Sequence, residues 1–284
     1  MSEFHVRPWQ AQPVDAQAVL LVDGETFDEC PYDEAELTAL AASGGLPMWL
    51  AWQGPEPLGY VSAFPTEGLA GPRWEIDLLA VRPAFRRQGV AEALLAAAMA
   101  ARPAEAAARA WVTTRNHGSA AAFGKAGFAA GKTLLELWAY TIRGLQPRPP
   151  DPRWPAVRLA ASSADRAAWA RGFAGREAPA LAARLAALAE GGAHIWLAEA
   201  DERAAGLLAL PVQTLHYRGL WLESIWSQGQ GSTVAPLLAW AVELAKAQEL
   251  DDVGVMLPAE ARWRDTLPAE GYSYVDDYQE YRLE

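Results

Sequence analysis

Cysteine is nearly absent: Cys30 is the single thiol in 284 residues. No internal disulfide can form, and nothing points to an oxidising compartment. The acidic residues before Cys30 disfavour a thiolate, so it reads as structural or incidental. Histidine is scarce too, and His5, His117, His194 and His216 are scattered. No pair has metal-ligand spacing, so no metal is expected. No uninterrupted apolar run reaches the ~18 residues of a membrane helix. The start, Met1 to His5, shows no basic region followed by an apolar core. These absences lead to the expectation of a soluble, cytoplasmic protein that does not engage a membrane. Basic charge is also in deficit, with 24 Lys and Arg against 35 Asp and Glu and a net charge of −11. A duplex nucleic-acid binder normally shows a basic face, so no nucleic-acid partner is expected. There is no G-x-G-x-x-G fingerprint, no P-loop and no G-x-S-x-G nucleophile motif.

Hydrophobic residues make up 51% of the chain, which is enough for a packed core. The pattern reads as a strand at Phe4–Trp9, then helices at Pro13–Phe27 and Asp33–Ala42. Asp33 is a plausible cap, with Glu36 at the third position after it. Met48–Gln53 and Leu58–Phe64 read as a hairpin, and Arg73–Val81 as the next strand. Further units are a helix over Ala91–Arg102, a strand over Ala107–Arg115, a short helix over Ser119–Ala126 and a closing strand over Thr133–Ile142. That order predicts an α+β (mixed α/β) fold rather than a doubly wound parallel sheet. Five prolines between Gly144 and Pro155 mark a semi-rigid linker. The second half repeats the order of the first. Gly231 stands to its own strand and helix as Gly89 does, but its loop is shorter and lacks arginines. The expected organisation is residues 1–146, a linker at 147–155, and residues 156–284.

The segment Val81–Ala91 joins a strand to a helix through a glycine-containing turn. Amides at a helix start have no intrahelical partner, and the helix dipole adds partial positive charge there. Such a turn suits a phosphate or pyrophosphate. The residues Arg86-x-x-Gly89-x-Ala91, followed by Asn116, Phe123, Lys125, Gly127 and Phe128 as N-x6-F-x-K-x-G-F, resemble the GNAT superfamily of N-acetyltransferases. The second half looks like a diverged second copy, giving two tandem GNAT-like domains, each a mixed, mostly antiparallel sheet flanked by helices.

The resemblance implies acetyl-CoA, or a related acyl-CoA, as co-substrate and a primary amine of a small molecule or peptide as acceptor. It implies that the loop residues Arg86, Arg87, Gln88, Gly89, Val90 and Ala91 take the pyrophosphate. The strand residues Leu79, Ala80 and Val81 line the coenzyme's amide arm, with Leu79 and Val81 pairing to it through their backbone. Asn116, Ser119 and Phe123 complete the coenzyme side. An amine with a pKa near ~10 costs about 4 kcal/mol to deprotonate at neutral pH, so a general base is useful. Glu75 and Asp77 share one strand face. Glu75 is the expected base by its position six residues before Val81, with Asp77 in reserve. Many members carry a tyrosine where Phe123 stands, which protonates the departing thiolate. Phenylalanine cannot, and Tyr140 and Tyr60 are the alternatives. The second copy lacks the asparagine motif and is expected to be non-catalytic, completing the fold and walling the pocket. A non-catalytic acyl-CoA-binding or regulatory protein is the competing reading. The two halves are expected to act as a monomeric pseudo-dimer or to associate as a homodimer.

Overall fold

The computed structural model describes residues 3–27, 32–44, 46–142, 145, 157–174, 178–200, 203–228 and 233–283. Cys30, the proline-rich stretch at 147–155 and Gly231 lie outside the described residues. In chain order the first half runs β1 (His5–Pro8), α1 (Pro13–Thr26), α2 (Glu34–Ser43), β2 (Met48–Gln53), β3 (Glu56–Gly68), β4 (Gly71–Val81), α3 (Val90–Ala100), β5 (Ala107–Thr113), α4 (His117–Lys125) and β6 (Ala129–Thr141). The second half runs β7 (Val157–Leu159), α5 (Ser163–Ala174), α6 (Ala178–Glu190), β8 (His194–Ala200), β9 (Arg203–Gln213), β10 (Arg218–Ser227), α7 (Ala235–Ala247), β11 (Asp252–Leu257), α8 (Thr266–Ala269) and β12 (Ser273–Leu283). The fold is mixed α/β, as the element order predicts.

Local chemistry accounts for several boundaries. Pro13 opens α1, where its missing N–H costs nothing. Asp33 and Glu36 form the anticipated reciprocal cap of α2: the Glu36 amide donates to Asp33, and Glu36 accepts the Asp33 amide, both at 2.9 Å. Gly44 ends that helix in a left-handed conformation, φ +66. Met-Trp-Leu-Ala-Trp of β2 is buried on both faces, which an internal strand with helices on both sides requires.

All twelve strands form one sheet, ordered β1-β2-β3-β4-β5-β12-β6-β11-β10-β9-β8-β7. Among the described strands only β4·β5 and β10·β11 pair in parallel. The order reads the same from either end if the halves are interchanged. The closing strands are exchanged across that centre. β12 pairs with β5 of the first half, and β6 pairs with β11 of the second. They also pair with each other, Tyr278 opposite Leu135. Each half therefore lends an aromatic residue to the other's core: Tyr281 packs with Phe123, and Trp138 packs among the side chains of β11 and α7.

Helices cover both faces of the sheet. In the first half α3 and α4 lie on one face, over Val61, Ile76 and Ala110; α1 and α2 lie on the other, over Leu50, Tyr60 and Ala80. Val90, Leu94 and Leu95 anchor α3 with almost no exposed surface. At ~1.5–3 kcal/mol per buried side chain, this docking holds the start of α3 firmly at the end of β4.

Candidate active site

The chain leaves β4 at Val81, makes one tight turn over residues 83–85, and enters α3 at Gly89. Arg87 (φ +62) and Gly89 (φ +84) are both left-handed, which curls the loop tightly into the start of α3. Arg87 is not glycine, so this conformation is strained; such strain gathers at functional sites. Only the Glu92 carboxylate, at 3.5 Å, lies near where a Gly89 side chain would sit. The helical ladder begins with the Ala93 amide on the Gly89 carbonyl at 3.1 Å, and Gly89 brings no side-chain cap. The amides of Val90, Ala91 and Glu92 thus lack intrahelical acceptors. Arg86 and Arg87 are exposed. Arg86 also ties the loop to the strand, its Nε donating to the Val81 carbonyl at 3.0 Å. Gln88 folds back on the Ala84 carbonyl. Arg82 is engaged elsewhere, by Glu25 and Glu56.

Beside the loop the sheet opens. β4 and β5 pair only from Arg73 opposite Ala107 to Ile76 opposite Ala110. Beyond that point β4 continues to Val81, still paired with β3, and β5 continues to Thr113, paired with β12. A wedge is left between them. The Arg82 amide points to β3, donating to the Leu58 carbonyl at 2.9 Å, and the Leu78 amide points the same way, to Ser62 Oγ at 3.2 Å. Backbone groups alternate along a strand, so those of Leu79 and Val81 face the wedge, while those of Ala80 face β3. The edge of Leu79 and Val81, on which Arg86 takes the Val81 carbonyl, is suited to strand-like pairing with an extended ligand.

At the closed end of the wedge lies a β-bulge. Ser62 is opposite Leu78 and Ala63 is opposite Ile76, which leaves Asp77 as the extra residue. The bulge reverses the alternation of β4. Trp74 and Ile76 pack under α3 before it, and Leu79 and Val81 do so after it. Asp77 accepts a bond from Ser62 Oγ at 3.3 Å, and the Thr214 side chain favours its ionised form. Burial raises its pKa from 3.8 to about 6, against the lowering effect of Thr214, His216 and Ser62. The neighbouring Glu75 also raises it.

Glu75 lies in a different setting. Arg109 grips it with Nε at 2.9 Å from Oε2 and NH2 at 2.6 Å from Oε1, and Arg73 Nε stands 3.2 Å from Oε1. Both its oxygens face guanidinium groups, and it is 7% exposed.

The remaining predicted residues divide. Asn116 caps α4, its side chain accepting the Ser119 amide at 3.0 Å. Phe123 is buried against Phe128 and Tyr281, at ring distances of 5.1 and 5.8 Å. Tyr140 is not brought to the wedge. It sits on β6, separated from β5 by β12, and packs edge-on against Tyr272 at 5.5 Å. Tyr60 is fully buried on β3, its hydroxyl bonded to Asp23.

The second half opens in the same way after Leu222 opposite Val255, and its bulge leaves Glu223 where the first has Asp77. That carboxylate is neutralised: Arg73 reaches across from the first half, with contacts of 2.6 and 3.0 Å. No cation clamps Asp77 in this way among the described residues.

Sequence reading passed over Asp23, Ser62 and Thr214, and set His216 aside as one of four scattered histidines. His216 Nε2 lies 2.8 Å from the buried carboxylate of Asp23, and Phe27 packs edge-on to its ring at 5.0 Å. One signal was available: Asp23 follows Val19 by four residues, which puts a carboxylate on the buried face of α1. Among the described residues no group of three His, Cys, Asp or Glu side chains is placed to hold a metal ion, and no helix is long and apolar enough to cross a membrane.

Residues 10–128 match the sequence profile of the Acetyltransferase (GNAT) family. No curated protein matches the chain significantly. Among solved structures, a GCN5-related N-acetyltransferase from Sphaerobacter thermophilus superposes with a TM-score of 0.61 at 15% identity, over 99% of this chain and 95% of that one. A tandem GNAT protein from the clavulanic acid biosynthesis pathway gives 0.56 at 14%, over 99% and 98%. An acetyltransferase-like protein from Pyrococcus horikoshii gives 0.56 at 15%, over 100% and 90%. The first half is thus similar to the GNAT acetyltransferase family over residues 10–128, and the whole chain takes a fold shared with a tandem GNAT protein.

Proposed function

We propose that the first half is an acetyl-CoA-dependent N-acetyltransferase whose acceptor is a primary amine of a small molecule or peptide. The observation that carries this reading is the wedge beyond Ile76 and Ala110, with free helix-start amides at one end and Asp77 at the other. The loop from Arg87 to Ala91 fits a diphosphate: its amides are unclaimed, and no side chain crowds Gly89. The facing backbone of Leu79 and Val81 fits the amide arm of the coenzyme. A fixed N–H at Leu79 is placed to stabilise negative charge on the thioester oxygen during attack.

Asp77 is the proton acceptor in this reading, and Glu75 is structural. The Glu75 oxygens are held by Arg109 and Arg73, whereas Asp77, with a pKa near 6, is ionised at neutral pH and still competent to take a proton. The amine nitrogen attacks the thioester carbon and gives its proton to Asp77. The C–S bond breaks, and the leaving thiolate takes a proton from water, since Phe123 has none to give. The second half does not transfer acyl groups, because Arg73 holds Glu223.

The test is binding followed by turnover. Acetyl-CoA at about 100 times its dissociation constant stabilises a binding protein by roughly 2.7 kcal/mol. Wild type is expected to show this gain and Gly89→Glu to lose it. Thiol release with a panel of amines is expected in wild type and to fall in Asp77→Asn by about 100-fold or more. A stabilisation that survives Gly89→Glu removes the loop from the reading. Coenzyme binding without transfer to any amine would favour a binding or regulatory protein.

A further inference from the structure

The turn between β9 and β10 comes from the second half, yet it is packed into the first. Leu215 at its tip is fully buried among Val19, Leu37, Tyr60 and Ala80. The residues on either side of this anchor are polar. Thr214 is 3% exposed, its Oγ accepts the Tyr217 amide at 3.1 Å, and its hydroxyl proton is free to favour the ionised form of Asp77. His216 bonds the fully buried Asp23, which also receives the Tyr60 hydroxyl. The His216 side chain retains 24% exposure, so it is reachable. Tyr32 holds the turn from outside through the Thr214 carbonyl at 3.4 Å. Beside it, Tyr32, Glu36, Leu40 and Gln213 line a cleft of 410 Å³.

We propose that the Thr214–Leu215–His216 turn of the second half is the positioning element of the first half's acceptor site: Thr214 orients Asp77, and His216, held by Asp23, favours its ionised form and borders the path of the incoming amine. This rests on the reading of Asp77 as proton acceptor. The second copy, which keeps no base of its own free, then contributes to the reaction through its neighbour. The groups facing Asp77 are Ser62 from β3, Glu75 from its own strand, and Thr214 and His216 from the turn. Two of these four therefore belong to the other half.

The experiment follows the Asp77 carboxyl directly. Carboxyl-carbon NMR of aspartate-labelled full-length protein, with the Asp77 signal assigned by its loss in Asp77→Asn, gives its titration midpoint. Thr214→Val keeps the shape and removes one hydrogen bond to the ionised form, so the midpoint is expected to rise by roughly 0.5–1 pH unit. Thr214→Ser is expected to restore it. His216→Gln is expected to raise it as well, and to raise KM for the amine about 10-fold with acetyl-CoA affinity unchanged. Midpoints within about 0.2 unit of wild type in both Thr214→Val and His216→Gln would overturn the proposal. The NMR readout needs no turnover, so it stands or falls separately from the transferase reading. Turnover with an unmoved midpoint would sink the turn's role alone.

Discussion

Replacing Asp77 by asparagine should stabilise the protein, and only above a certain pH. The Asp77 pKa rises from 3.8 to about 6 on folding, a difference of about 2.2 units. At 1.36 kcal/mol per unit this corresponds to about 3 kcal/mol. The native state binds the proton more tightly than the unfolded chain does. Stability therefore falls as the pH rises from about 4 to about 6, and the full cost applies above that window. Asparagine keeps an acceptor for Ser62 and Thr214 but carries no charge to desolvate. Its amide protons need a partner of their own, so the net gain at pH 7.5 is about 2–3 kcal/mol. At pH 4 it is under about 1 kcal/mol. Urea unfolding of both proteins at the two pH values reads this difference through the shift in midpoint. A variant no more stable than wild type at pH 7.5, or a gain of equal size at both pH values, would refute the assignment of Asp77 as a desolvated carboxylate. The same result would bear on function, because a charge kept at a cost to stability is what a working base looks like.

Arg73→Ala should cost about 3–5 kcal/mol, since it strands the buried Glu223 and removes one of the two guanidinium groups beside Glu75. Adding Glu223→Gln should recover part of that loss, and a double-mutant cycle by denaturant unfolding measures the coupling. Leu215→Ala should cost about 2–5 kcal/mol despite lying in a turn, because its side chain is fully buried in the other half. Thermal unfolding of that variant checks it. Residues 1–156 and 157–284 made as two chains should co-purify as one complex, because each closing strand is paired into the other half. Two separately folded monomers on size-exclusion chromatography would contradict the exchange.

What could be read from the residues was local. The cap of α2 needs only Asp33 and Glu36, three positions apart, and the loop before α3 needs only a strand, Gly89 and an apolar helix behind it. The repeated order of helices and strands made the two halves visible. The choice between the two carboxylates was not local. Parity put Glu75 and Asp77 on one face, but what separates them is their partners. Arg109 stands 34 positions from Glu75, and Thr214 and His216 come to Asp77 from the other half of the chain. The bulge that sets Asp77 apart is a mismatch between β3 and β4, a property of neither strand alone.

Sequence by itself determined which segments are helices and strands, and it fixed the amide-lined turn at Gly89, because hydrophobic period and turn chemistry act over a few residues. Tertiary structure alone decided that β6 and β12 change places, that Arg73 pairs with Glu223, and that a turn from the second half packs into the first. Each of these depends on groups far apart in the chain meeting in a buried setting, where the pairing of a charge outweighs its position in the sequence.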